Sequence, residues 1–227
     1  MFDVVLPLKE QAMLTTLLTQ PHRYYHNINH INDLLIELDD WAPRAGYADN
    51  VKRLVTYGIW YHDAIYNTYS APGSNERLSA RLFEQQHPEF EPFELNCVVE
   101  MIEATAKHTS QQDMREGSKD RYIDIHNAVM LDCDLAGFGH SWEVYEMNGE
   151  NIRQEYYKTS DADFYAGRYQ FLMKMHQRMK LFGSIYYTRH FQARYDAQSK
   201  ENIENDIIII EDILEIPAEK SILTWKP

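Results

Sequence analysis

Apolar residues recur along the chain at helical spacing. Ile28, Ile31, Leu34, Leu35 and Leu38 form one stripe, while Val51, Leu54, Val55, Ile59, His62 and Ile65 follow i, i+3, i+4, i+8, i+11 and i+14 on a second. Both patterns predict amphipathic helices with one face toward a core. A third helix is predicted after Pro92, carrying Leu95, Val98, Val99 and Ile102; a fourth carries Ile125, Ala128, Val129, Asp132, Leu135 and Ala136 before Gly137 and Gly139 end it. Ile203, Ile207, Ile210 and Leu214 space as i, i+4, i+7 and i+11, so the aliphatic run from Ile207 reads as a terminal helix that Pro217 stops. No sustained alternation bounded by Asn-Gly or Asp-Gly turns competes with this. The predicted fold class is therefore all-α. Breaker-rich loops are expected at Ala42-Pro43 to Gly46, Ala71 to Ser74 and Glu116 to Ser118. None is long or biased enough to be a linker, so one helical domain over 1–227 is expected, with a core near 22–140 and helices 141–216 packed on it. A boundary near 140 is the weaker alternative.

Composition narrows the chemistry. The chain has 227 residues, 44% hydrophobic, which is enough for a sizeable core. Its 35 acidic residues outnumber 22 basic ones, for a formal charge of −13, so a nucleic-acid duplex is not an expected partner. Two cysteines, Cys97 and Cys133, stand against ten histidines, which points metal chemistry toward imidazole and carboxylate. The first residues lack a basic then apolar leader and no long apolar span follows. A cytoplasmic protein without a membrane partner is expected.

The sharpest local feature is Tyr25-His26-Asn27-Ile28-Asn29-His30, with two histidines at i and i+4 on one helical face. That spacing brings both side chains within reach of one ion. Asp33 and Glu37 continue the row, which by helical angle lies off the Ile28/Ile31/Leu35 stripe and equally fits a solvated face. His62-Asp63 is the second feature, because His62 falls on its helix's apolar stripe and the adjacent Asp63 lies among Trp60, Tyr61, Ile65 and Tyr66. A carboxylate buried there needs a compensating partner. Neighbouring helical residues project about 100° apart, so both can serve one cation only by leaning toward it from one edge, or else they bridge two. Mixed imidazole and carboxylate donors favour manganese, cobalt, nickel, iron or zinc, with magnesium as a further candidate.

His30, His62-Asp63 and Asp134 together resemble the HD superfamily of metal-dependent phosphohydrolases, whose pattern is a His, a His-Asp pair and a distant Asp. The Tyr25-His26-Asn27 run followed by His30 is similar to a helix of cyclic-nucleotide phosphodiesterases. A bacterial branch of predicted HD phosphohydrolases is similar over about Tyr24 to Leu214. The shared stretches include Asn75-Glu76 with Ser79-Ala80, Asp132-Cys133-Asp134-Leu135, Ile152 to Tyr156 and Gly167-Arg168.

The resemblance implies an HD-type helical bundle holding one or two divalent transition metals. His30, His62, Asp63 and Asp134 would be the ligands, with Glu76 and His108 as candidates for a second ion. For the last ligand, helical phase favours Asp132 and the resemblance selects Asp134, leaving Asp132 behind it. The implied activity is hydrolysis of a small phosphorylated metabolite or nucleotide, with His26 as proton donor and Asp63 positioning water. Cations for an anionic substrate are sought at Arg23, Lys107, Arg153 and Arg168; a guanidinium fork matches phosphate. An HD-fold regulatory protein without turnover and a di-iron oxygenase are the competing expectations. Cys133 reads as an inert core thiol rather than a redox group.

Overall fold

The computed structural model describes residues 6–45, 49–108, 124–217 and 221. Among these residues the protein is all-α, with nine α-helices and no strand. The chain divides into two compact units, Met1–Ala136 and Gly137–Pro227.

The first unit contains α1 (Leu8–Leu18), α2 (Ile28–Ala45), α3 (Asp49–Tyr61), α4 (Ser74–Gln86), α5 (Pro92–Thr105) and α6 (Ile125–Leu135). Helix α6 lies at its centre and packs against α2, α3 and α5. Eight consecutive α6 residues, His126 to Cys133, are buried, as is Leu135, so this helix is enclosed on all sides. The Asp124 side chain accepts the His126 backbone N–H and caps its first turn. Gly58 of α3 faces α6 closely: a Cβ there would lie 3.3 Å from Met130 Sδ. The bare backbone lets the two helices approach.

The predicted stripes fill this core. Ile31, Leu34, Leu38 and Trp41 of α2 are buried, with Leu54, Val55 and Ile59 of α3. The row His30/Glu37 is also buried, while Asp33 is exposed. A solvated row is thus not what forms, because α2 packs against both α3 and α6 and so covers a face wider than its apolar stripe. Two boundaries also differ from expectation. Helix α2 continues through Pro43 to Ala45, and α4 begins at Ser74 after Gly73, which takes the left-handed conformation at φ 73°. Asn75 does not cap α4; its amide clamps the backbone N–H and C=O of Asn67. The loop expected at Glu116 to Ser118 lies outside the described residues.

The second unit contains α7 (Trp142–Glu155), α8 (Asp161–Phe182) and α9 (Arg189–Ile213). Ser160 caps α8 at its start, and Gly183, left-handed at φ 81°, closes its end. Helix α9 includes the predicted terminal stripe, with Ile203, Ile207 and Ile210 buried, but starts well before it at Arg189. Arg168 of α8 binds Asp206 of α9 through both Nε and Nη2, and Tyr145 of α7 donates to the same carboxylate oxygen. One buried carboxylate therefore joins all three helices. Asn202 donates to the carbonyls of Phe138 and His140 and fixes the segment entering α7.

No described helix is long and apolar enough to cross a membrane.

Candidate metal centre

Three helix ends of the first unit bring the sequence-predicted ligands together. His30 lies in the first turn of α2, Asp134 in the last turn of α6, and His62-Asp63 immediately after α3. One nitrogen from each of His30 and His62 and one oxygen of Asp134 all lie within 4.8 Å of one another. The spacings of 3.3 and 3.7 Å from Asp134 Oδ1 to the His30 and His62 nitrogens fit atoms sharing a central ion at bonds of about 2.0–2.2 Å.

The end of α3 explains how consecutive residues serve one site. The His62 backbone N–H still donates to Gly58 at 2.9 Å, whereas Ala64 N–H donates to Tyr61 in a tighter turn. Asp63 is therefore released from the helical 100° step and swings back beside His62. His62 Nε2 lies 3.0 Å from Asp63 Oδ2 and 3.7 Å from Asp134 Oδ1. His30 Nε2 lies 3.3 Å from Asp134 Oδ1 and 4.0 Å from Asp63 Oδ2.

The His62 ring is oriented from behind. Its Nδ1 donates to the Ile59 carbonyl at 2.8 Å, and since a carbonyl only accepts, Nδ1 carries the proton. In the neutral ring the Nε2 lone pair then faces the cluster, where a metal ion could take it. His62 Nε2 and Asp63 Oδ2 are both buried and make no hydrogen bond among the described residues. Buried polar atoms left in that state cost free energy unless something binds them. A divalent cation would satisfy both together, and two imidazoles with two carboxylates suit a first-row transition metal.

Electrostatics agree with this geometry. Burial opposes charge on His62, but Asp63 and Asp134 outweigh it and push its pKa up to about 9 without metal. Burial likewise opposes the Asp63 carboxylate, yet His62, His26 and His30 hold it well below the usual carboxylate range. Asp134 is held low against its burial by His108, His30 and His62. The cluster thus carries opposed charges that depend on one another.

Asp134 presents its second oxygen elsewhere: Oδ2 lies 3.2 Å from His108 Nε2. His108 follows α5 with a left-handed backbone at φ 51°, uncommon outside glycine, and this turn aims its ring at α6. Glu76, in the first turn of α4, has Oε2 buried without a hydrogen bond among the described residues. Asp132, the alternative from helical phase, is fully buried, and the cluster forms around Asp134.

The remaining predicted residues occupy four settings. The His26 ring stacks on Tyr66 at 4.4 Å and lies 6.1 Å from the His30 ring, beside the cluster. Arg23 is buried and donates to the backbone carbonyls of His26, Asp63 and Ala64. Lys107 is exposed next to His108. Arg153 and Arg168 belong to the second unit, where they line a cavity of about 390 Å³ with Trp142, Tyr145, Phe164 and Tyr165. Each already faces a carboxylate there, Arg153 that of Asp161 and Arg168 that of Asp206.

Supporting residues that spacing alone did not single out are Tyr25, Tyr66 and Ser79. Tyr25 packs its ring 4.7 Å from that of His30. Ser79 Oγ accepts the Ile65 N–H at 3.0 Å and ties α4 to the segment after Asp63. Their adjacency to the His motifs was the available signal for the tyrosines; Ser79 had only its place in the family-like stretch.

Compared with protein-family models, with curated proteins and with solved structures, the chain has no match.

Proposed function

We propose that the first unit is an HD-type metal-dependent phosphohydrolase centre acting on a phosphate ester or anhydride of a small metabolite or nucleotide. One observation carries this reading: ligand atoms of His30, His62 and Asp134 cluster within 4.8 Å of one another, and beside them His62 Nε2 and Asp63 Oδ2 are buried without a hydrogen bond among the described residues. His30, His62, Asp63 and Asp134 would hold the ion. Such an ion would supply Lewis acidity toward a phosphoryl oxygen and make bound water more acidic.

The chain's own groups would do the rest. Asp63, held as carboxylate, can orient the attacking water and accept its proton. His26 lies beside the cluster with its ring fixed by Tyr66, where it can donate a proton to the leaving oxygen. Lys107 is exposed next to His108 and can meet an anionic substrate. The acidic chain disfavours long polyanions, so nucleic-acid duplexes are not the proposed substrate.

A second reading rests on the two-sided contacts of Asp134. With Oδ1 toward His30 and Oδ2 toward His108, the carboxylate is disposed to bridge two ions, and Glu76 could complete a second site. A two-iron oxygenase would use that arrangement.

A panel of phosphomonoesters, nucleotides and dinucleotides, run with manganese, cobalt, nickel, zinc and magnesium on wild type and Asp63→Ala, tests the proposal. Metal-dependent phosphate release by wild type and its loss in folded Asp63→Ala is the expected result. Oxygen consumption by the iron-loaded protein without phosphate release would favour the oxygenase. Inactivity in both assays despite stoichiometric metal would leave a binding protein.

A further inference from the structure

The first half of the site hangs on the start of α2, where His26 and His30 stand, and the second on the turn after α3, where His62 and Asp63 stand. Arg23 touches both. Its Nη1 donates to the carbonyl of His26 at 2.9 Å and to that of Asp63 at 2.7 Å, and its Nη2 donates to Ala64 at 3.0 Å. Residues leaving a helix C-terminus expose carbonyls that no helical N–H satisfies, at the negative end of the helix dipole. A buried guanidinium satisfies two of them here and reaches a third across the site. The planar fork allows this; an ammonium, with a single point of donation, cannot span the same set.

The same guanidinium lies 5.3 Å from the centre of the Tyr66 ring, whose face stacks on His26 at 4.4 Å. His22 Nε2, at 3.4 Å from the Tyr66 carbonyl, makes a weaker second link between these segments. One side chain, that of Arg23, therefore ties the positions of Asp63, Ala64 and His26 to one another directly. We infer that Arg23 is a positioning residue that holds the two halves of the metal centre in register, rather than a contact to the substrate phosphate. The inference rests on the proposed metal site. Its physical basis is the narrow tolerance of metal–ligand bonds, about 0.2 Å, against which a small slip between α2 and the α3 turn is large.

The test compares cobalt loading of metal-free wild type, Arg23→Lys and Arg168→Lys. Affinity is read by titration, and ligand geometry by the visible d–d absorption of the bound cobalt. Wild type should take up cobalt with a defined spectrum. Arg23→Lys should keep its helical circular dichroism but bind roughly 10-fold or more weakly, with shifted or weakened bands, as expected when a group orienting ligands is lost. Arg168→Lys, which disturbs a buried arginine network in the second unit, should lower the melting temperature and leave the spectrum unchanged.

Wild-type affinity and an unaltered spectrum in Arg23→Lys would overturn the inference while leaving the metal site standing. Absence of cobalt binding by wild type would instead overturn the site reading, and the inference with it. If Arg23→Lys does not fold, Arg23→Gln, which can still donate to part of the carbonyl set, is read in the same way. Failure of both to fold assigns Arg23 to the fold alone and overturns the inference.

Discussion

His62 Nε2 lies 3.0 Å from Asp63 Oδ2, close enough for an ion pair, yet neither atom makes a hydrogen bond among the described residues. Two consecutive residues meet this way only because α3 ends at Tyr61 and the backbone turns before Asp63. The contact is thus a product of helix termination. It sets the His62 nitrogen into the cluster with His30 and Asp134, with the Asp63 oxygen beside it.

Removing a ligand should separate metal binding from folding. Asp134→Asn retains the size of the side chain but loses the charge that faces both His30 and His108. Metal affinity is expected to fall roughly 100-fold or more, at or beyond the upper end seen when supporting groups are removed. Isothermal titration with zinc and circular dichroism check the two halves of this statement. Unchanged affinity would remove Asp134 from the ligand set.

The charged pair predicts a pH dependence of the metal-free protein. His62 is raised from 6.5 to about 9, so its contribution to stability is full below pH 6.5 and disappears as pH rises through 9. Asp63 is lowered from 3.8, so its contribution is present above that pH and disappears in acid. The stability difference between metal-free wild type and His62→Gln should therefore shrink between pH 6.5 and 9. Metal requires the deprotonated imidazole, so the gain in Tm on adding zinc should grow over the same interval. Thermal melts at half-unit steps measure both trends, and a difference that is flat or increases with pH in the metal-free pair contradicts them.

In the second unit, a Cβ on Gly139 would lie 2.4 Å from Tyr195 Cβ, a contact that rotation of the Tyr195 side chain cannot relieve. Gly139→Ala should destabilise this unit by about 1–3 kcal/mol, the usual cost of overpacking. Urea denaturation followed by circular dichroism gives the value. A variant as stable as wild type would show that the segment before α7 shifts without cost.

Both cysteines should behave as inert thiols. Cys133 is fully buried, and burial followed by the charge of Asp132 raises its pKa well above the usual value. Cys97 is pushed up to about 11, by burial and then by Asp124. Almost no thiolate is then present at pH 8, and thiolate is the reactive form. Ellman's reagent should modify neither thiol rapidly in the folded protein and both after unfolding. A fast-reacting thiol at pH 8 in the native state would contradict this.

The helical class was legible because α2, α3, α5 and the end of α9 each carry apolar residues at helical period. Helix α1 was not, since its described interior buries only Leu14 and Leu18. Helix α8 carries no apolar stripe, because its few buried apolar residues, Phe164, Leu172 and Met175, are separated by charged and polar ones. For the site, the i,i+4 histidines and His62-Asp63 were visible as local patterns. Helical phase favours Asp132 over Asp134, but α6 is enclosed all round, so its apolar periodicity marks burial rather than the face that carries the cluster. Resemblance to a ligand pattern supplied the choice. The attachment of Arg23 to Asp63 and Ala64 spans about forty positions of sequence and has no local signature at all.

If the first unit is a metal centre, His30 and His62 bind the same ion. X-ray absorption at the zinc edge of the zinc-loaded protein tests it most directly. A first shell at about 2.0–2.2 Å that includes two imidazoles is expected, with one imidazole lost in His62→Gln. A shell of oxygen alone, or one unchanged in His62→Gln, would contradict it.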